Sequence, residues 1–287
     1  MNKKILGFTL IILSATAFGF MPIFASYAYK SGLQIESILL FRFTIAAVLL
    51  NMYILLKGYS YPKGIVLAKL FFMGAVLYSA QAFSLFSAID RIGTSLTSIL
   101  LYLYPTIVLL LSIFLLKIKI KTDDIFALLL TSIGAMMVVG LKIQDIDTLG
   151  IVFGVSAAVF YSVYILLGDN AMKGLDPILG STVVISGAAF TYLAYGAYVG
   201  ITLPTNTDQW TWTVAIAVIS TIVSIVAFFS AQQIIGSIKA SMISTFELVV
   251  TLMFSFILLH EHMGALQLMG SVSILLAAVI LARESNE

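Results

Sequence analysis

The chain has 287 residues, 61% of them hydrophobic and 10% charged, with a formal net charge of +2 and no cysteine. Roughly a quarter of an ordinary soluble domain is charged, so this composition cannot coat a soluble globule; the net charge is too small to imply nucleic acid, and no basic run resembles a binding arm. Without cysteine there is neither a disulfide nor a thiolate metal site. The two histidines, His260 and His262, flank Glu261 in one short loop and make at most a poor metal pair, so no metal or other cofactor is expected.

The apolar residues arrive in blocks of about twenty, the length a helix needs to cross roughly 30 Å of hydrocarbon. Ten spans are predicted, near 5–28, 36–56, 64–88, 93–116, 124–141, 149–168, 177–200, 210–234, 237–259 and 264–282. Lys3 and Lys4 precede the first, which is about twice the length of a signal-peptide core and is read as an uncleaved helix. The second carries Arg42 about one and a half turns inside its outer end. The third holds Tyr78 and Gln81. In the fourth, Ser95, Ser98, Tyr102 and Pro105 recur at three and four residues, and Pro105 is expected to kink the helix by removing a backbone donor. Tyr161 and Tyr164 lie on the sixth span. The eighth opens on Trp210 and Trp212, suited to a membrane interface, and carries Ser220 and Ser224. In the ninth, Glu247 shares a face with Ala240, Ser244, Thr251 and Ser255. The narrowest separations between spans fall at Asp90-Arg91 and Ile235-Gly236.

Cytoplasmic loops hold an excess of lysine and arginine. With the N-terminus inside, eleven such residues fall on the cytoplasmic side (Lys57, Lys63, Lys69 and Lys173 among them) and three outside, Lys30, Arg91 and Lys142. Both termini are therefore expected in the cytoplasm, on the inner membrane of the cell.

One constant offset aligns the two halves of the chain: Gly7 falls on Gly150, Lys30 on Lys173, Ile92-Gly93 on Ile235-Gly236, and Leu115-Leu116 on Leu258-Leu259. Residues 1–142 and 143–287 are thus read as two five-helix repeats of one membrane domain. Five is odd, so the second copy must enter the membrane from the opposite side, giving the inverted repeat common among transporters, with a substrate site near the midplane. The expected fold is all-α, ten transmembrane helices in two inverted halves.

Phe41-Arg42-Phe43 early in the second span, Gly93-Thr94-Ser95 through Tyr104-Pro105 to Leu116-Lys117 in the fourth, and Gly236-Ser237 through Phe246-Glu247 to Leu259-His260-Glu261 in the ninth resemble the EamA-type branch of the drug/metabolite transporter superfamily, over nearly the whole chain. Glu247 is followed by Leu248 where the family pattern has proline, and the first copy keeps Pro105 without the acid. The resemblance implies a transporter that is not an enzyme, exporting amino acids or related amine metabolites.

A carboxyl near the bilayer centre costs roughly 2.5–3.5 kcal/mol to insert, so Glu247 must serve a purpose: a partner for a substrate ammonium, a proton carrier, or a carboxyl that holds helices together. Arg42 fits a substrate carboxylate, or equally the outer headgroups or a pairing with Glu36 or Asp90. Around them, Tyr78, Gln81, Ser98, Tyr102, Pro105, Tyr161, Tyr164, Ser224, Ser244 and Thr251 are the candidate walls of a substrate cavity. No phosphate-binding loop or nucleophile motif is present, so the expected activity is secondary transport of a small molecule by alternating access, with proton coupling through Glu247. Import or facilitation of similar solutes, and a membrane-embedded lipid-acting enzyme, are the alternatives. Membrane lipid is the other expected partner; nucleic acid is not one, and oligomeric state is not specified by the sequence.

Overall fold

The computed structural model describes residues 3–116, 121–139, 147–259 and 264–284. All regular structure among those residues is helical, with no strand, which suits apolar chain in lipid, since a helix satisfies its backbone polar groups internally. In chain order the helices are α1 (Lys3–Gly19), α2 (Met21–Lys30), α3 (Ile35–Leu56), α4 (Gly64–Phe72), α5 (Ser79–Leu101), α6 (Tyr104–Leu116), α7 (Thr122–Val139), α8 (Thr148–Ala171), α9 (Pro177–Val199), α10 (Thr207–Ala217), α11 (Ser224–Ser244), α12 (Phe246–Leu259) and α13 (Ala265–Glu284). Two six-residue π-helical segments, Met73–Tyr78 and Val218–Val223, join α4 to α5 and α10 to α11.

Six stretches among the described residues are long and apolar enough to cross a membrane alone: Lys3–Lys30, Ile35–Leu56, Gly64–Leu85, Thr148–Ala171, Pro177–Val199 and Thr207–Ser244. Tyr104–Leu115, Phe246–Leu258 and Ala265–Leu281 are shorter apolar helices. The 38 residues of Thr207–Ser244 would reach about 57 Å as one helix, far beyond a bilayer core. They do not run as one, because Gly236 takes φ 79°, ψ 165° inside α11, a conformation open to glycine and costly for other residues. This is the separation expected at Ile235-Gly236; that expected at Asp90-Arg91 falls within α5.

Three further breaks shape the centre. Pro22 is the second residue of α2 and cannot donate to the Phe18 carbonyl, so the first span is interrupted at Phe20. Pro105 is the second residue of α6, which follows the turn at Tyr102-Leu103. The chain between α11 and α12 breaks at Thr245 without a proline. Ser241, Ser244 and Thr245 each turn a hydroxyl back on the carbonyl three residues earlier, at 2.8, 2.9 and 2.6 Å, which tightens the end of α11 and diverts it from regular continuation.

The two halves repeat one plan. α4 and α10 begin at Gly64 and Thr207, and α7 and α13 at Thr122 and Ala265, both pairs at the offset that places Gly7 on Gly150. The starts of α3 and α9, and of α6 and α12, fall one residue short of that offset. The packing is reciprocal: α1 lies on α11 and α8 on α5, whereas α3 lies on its own counterpart α9, and α7 on α13. α8 carries Ile165 where the first copy has Pro22, and it runs unbroken. Phe43, Tyr78, Tyr164, Tyr192 and Phe229 form the buried aromatic centre, Phe43 stacking on Tyr192 at 5.4 Å between ring centroids.

Candidate functional site

A cavity of about 80 Å³ lies where the breaks converge, bordered by Phe18, Met21, Arg42, Tyr78, Gln81, Ala82, Leu85, Leu101, Tyr161 and Glu247. Its volume is several times the roughly 10–15 Å³ that admits one water. The wall is mostly apolar and aromatic, and it presents one cation and one carboxyl.

Arg42, on α3, is 5% exposed. Its Nε donates to Thr221 Oγ1 at 2.7 Å and its Nη2 to Tyr78 Oη at 2.8 Å. Both acceptors belong to π-helical segments, Tyr78 in the first half and Thr221 in the second. Each segment is accompanied by an i−5 side-chain bond, from Ser79 Oγ to the Gly74 carbonyl and from Thr221 Oγ1 to the Ile216 carbonyl, each 3.0 Å. Single π turns often mark functional places in helices, and here they aim hydroxyls inward at one guanidinium. The guanidinium also lies 4.8 Å from the Phe43 ring centroid. The partners of Arg42 are hydroxyls rather than Glu36, one of the alternatives; the side chain of Asp90 lies outside the described residues.

Glu247 occupies the first turn of α12 rather than the middle of an unbroken helix. The partial positive charge of a helix N-terminus favours a carboxylate at that position. Its Oε1 accepts a hydrogen bond from Tyr102 Oη at 2.6 Å, and Tyr102 stands in the break between α5 and α6. Thus the two helix breaks, at Tyr102-Leu103 and at Thr245, meet through an acid and a phenol. Behind them, Tyr104 Oη donates to the Ser241 carbonyl at 3.0 Å and shares a 2.6 Å hydrogen bond with Ser244 Oγ. Ser162 Oγ donates to the Tyr104 carbonyl at 3.1 Å.

Of the residues singled out in the sequence, Arg42, Tyr78, Gln81, Tyr161 and Glu247 border the cavity. Tyr102 touches it through Glu247, and Tyr164 stacks on Tyr78 at 5.2 Å. The others are placed elsewhere. Pro105 is buried at the start of α6, where its missing N–H belongs to a first turn that needs no donor. Ser224 bonds backward to the Ser220 carbonyl at 2.8 Å, and its own carbonyl accepts from Ser14 Oγ at 2.8 Å. Ser244 is held by Tyr104. Thr251 Oγ1 donates to the Gly19 carbonyl at 2.9 Å, a group exposed by the break at Phe20, so this hydroxyl fastens α12 to α1. The side chains of Ser98 and Ser255 lie outside the described residues, as do His260, Glu261 and His262. Thr221, Phe18 and Met21 were not anticipated: Thr221 sits in an unremarkable apolar run, and the other two reach the cavity only because Pro22 bends the chain. Among the described residues no group of three histidine, aspartate or glutamate side chains forms a metal site.

Residues 5–140 and, separately, residues 148–283 match the EamA-like transporter family. A relative from Bacillus subtilis (strain 168), the uncharacterized transporter YcbK, is 21% identical over 276 residues, 92% of this chain and 88% of its own length. An uncharacterized transporter from Archaeoglobus fulgidus is 24% identical over 201 residues, 70% of this chain and 72% of its own. A protein known from a crystal structure superposes with a TM-score of 0.82 over 98% of both chains at 14% identity, a likeness of fold alone. With both halves matching in turn, this multi-pass membrane chain belongs to the EamA-like transporter family.

Proposed function

We propose that the protein is a secondary transporter that exports amino acids or related small amine metabolites across the cytoplasmic membrane, with Glu247 carrying a coupling proton. One observation carries the reading: a guanidinium, Arg42, and a carboxyl, Glu247, border the same small, otherwise largely apolar cavity. A zwitterion supplies both complements at once, its carboxylate to Arg42 and its ammonium to Glu247, while Tyr78 and Tyr161 accommodate the side chain. Buried charged groups are costly unless paired, so such a site favours solutes carrying both charges over solutes carrying one.

Residues 1–142 and 143–287 act as the two moving units, with ten spans in all and both termini in the cytoplasm. Support for two equivalent units comes from their matching element order and reciprocal packing. Arg42 is tied to one π segment from each unit, so a relative movement of the halves strains one of its two hydrogen bonds. Substrate bound to Arg42 replaces what is lost, which links occupancy to the change of access. Glu247 loses or gains a proton as its side of the cavity opens to either solution, giving the cycle its direction. Nothing in the chain resembles a nucleotide-binding loop, which supports transport driven by a gradient.

The test is ligand-dependent thermal stability of the purified protein, because a ligand that binds the folded state stabilises it by mass action. Neutral amino acids are expected to raise the melting temperature, and matched monocarboxylates and monoamines to raise it much less. Equal shifts for all three, or none, would remove the zwitterion from the account.

A further inference from the structure

α3 joins α2 at one end and α4 at the other, so the start of α4 lies across the molecule from Trp210 and Trp212 at the start of α10. Near the start of α4, two grooves run together. The outer, about 360 Å³, is bordered by Lys63, Val66, Lys69, Lys173 and Leu175 among others. The inner, about 280 Å³, is walled by Phe72, Met73 and Leu167. Lys69, Asn170 and Ala171 border both. Three ammonium groups therefore stand at the mouth of a groove whose floor is apolar.

The duplication supplies a control within the molecule. At the offset that places Gly7 on Gly150, Lys69 corresponds to Trp212, Asn170 to Tyr27, Leu167 to Phe24 and Lys173 to Lys30. At the other end these counterparts fill the equivalent space with rings: Trp212 stacks on Tyr27 at 4.5 Å and on Phe24 at 6.1 Å, and Lys30 Nζ lies 5.6 Å from the Tyr27 centroid. At this end the plug is replaced by Lys69 and Asn170, and the space is open. Asp169 lies 4.0 Å from Lys173 Nζ, but among the described residues no carboxylate borders either groove, which leaves the groove positive. Lys69 also lies inside the span Gly64–Leu85, where an ammonium beside acyl chains is costly without a counter-ion.

We propose that this groove binds an anionic phospholipid, with the phosphate among Lys63, Lys69 and Lys173 and an acyl chain along Phe72, Met73 and Leu167. Basic grooves between membrane helices hold anionic headgroups in this manner. The phosphate offsets part of the lysine charge, the amide of Asn170 adds a hydrogen bond, and the acyl chain occupies the space that Trp212, Tyr27 and Phe24 fill at the other end. Binding there stabilises the contact of α4 with α8 and α9, the seam between the two halves.

Native mass spectrometry of the purified full-length protein, offered phosphatidylglycerol and phosphatidylcholine vesicles of matched chain length, tests the site. Retention of phosphatidylglycerol is expected to exceed that of phosphatidylcholine by at least about tenfold, as several lysines near one phosphate imply. The combined Lys63→Gln, Lys69→Gln and Lys173→Gln variant should lose that preference, and Ala171→Phe, which fills the groove without changing charge, should lose it as well. Lys57→Gln, at the same end but outside the groove, should keep it. Equal retention of both lipids, or an unchanged preference in the triple lysine variant, would overturn the proposal. Displacement of phosphatidylglycerol by equimolar glycerol phosphate would overturn it too, by assigning the lysines to a soluble anion. All three lysines are exposed, so the triple variant tests the site even where Ala171→Phe does not fold.

Discussion

Gly7 and Gly150 hold the same place in the two halves, each pressed against the other half of the chain. A Cβ on Gly7 would lie 2.7 Å from Ile235 Cγ2, and one on Gly150 would lie 2.5 Å from Ile92 Cγ2. Ile92 and Ile235 are separated in sequence by the same interval as the two glycines, so the two contacts are one contact made twice. Gly7→Val and Gly150→Val should therefore cost similar stability, about 1–3 kcal/mol each as expected of overpacking. Thermal unfolding in detergent checks this, and a loss confined to one of the two would argue against equivalent units.

Tyr78 and Thr221 are expected to matter through Arg42. Tyr78→Phe keeps the ring stacked on Tyr164, and Thr221→Val keeps the volume, yet each removes one hydrogen bond to a charged group. Such a bond contributes about 1.5–3 kcal/mol, so each variant should bind a zwitterionic substrate roughly 10–100-fold more weakly. The double variant should lose less than the sum, because a guanidinium freed on one side is already misplaced. Calorimetric titration measures it; wild-type affinity in both single variants would leave Arg42 without a positioning role for its two hydroxyls.

Asp147 caps α8, accepting from Leu149 and Gly150, and lies 3.0 Å from Arg91. The hydrogen bond from Arg91 holds this exposed carboxyl below the ordinary aspartate range, and the Gly150 N–H adds to it. For a depressed carboxylate the stabilisation is present above the unfolded-state pKa and is lost as pH falls through the folded one. Asp147→Asn retains a capping side chain and removes the charge. Its melting temperature should fall slightly below wild type near neutral pH, and the difference should close on acidification below about pH 4, the ordinary aspartate value. A difference independent of pH would assign the loss to the cap instead.

The lysine and arginine distribution predicts sidedness. Cysteines placed singly at Ser31 and Asp208 should react with an impermeant thiol reagent in intact cells, while those at Tyr59 and Thr122 should react only after permeabilisation. The protein has no cysteine of its own, so labelling is free of background. The reverse pattern would invert the orientation, and a mixed pattern would change the number of spans.

The duplication was legible because glycine at a close crossing and apolar length survive in both copies, as at Gly7 and Gly150. The break before α6 was equally legible, since Pro105 has an unambiguous backbone effect. The break at Thr245 was not: it rests on three hydroxyls bonding backward, and serine and threonine do this without forcing it. The polar face of α12 illustrates the limit at the site. Glu247 and Thr251 share a stripe, but Thr251 is consumed by the Gly19 carbonyl, which only the bend at Pro22 exposes. A stripe shows which side of a helix is buried in protein, not whether it meets a solute or another backbone. Thr221 was invisible for the converse reason, since a π turn rotates its hydroxyl toward Arg42 and a regular helical period does not place it there.

Glu247 is where the account is most exposed. Glu247→Gln preserves the shape of the side chain and an acceptor for Tyr102, and removes both the charge and the titration. The measurement is transport of a neutral amino acid that binds the wild-type protein, in proteoliposomes with an imposed pH gradient. The variant is expected to fold with a wild-type melting profile, to lose uptake driven by the gradient, and to show no pH dependence in what remains. Glu247→Asp, with its charge about one methylene short, should keep partial activity. Wild-type rates and wild-type pH dependence in Glu247→Gln would contradict the account, and would leave Glu247 a structural partner of Tyr102.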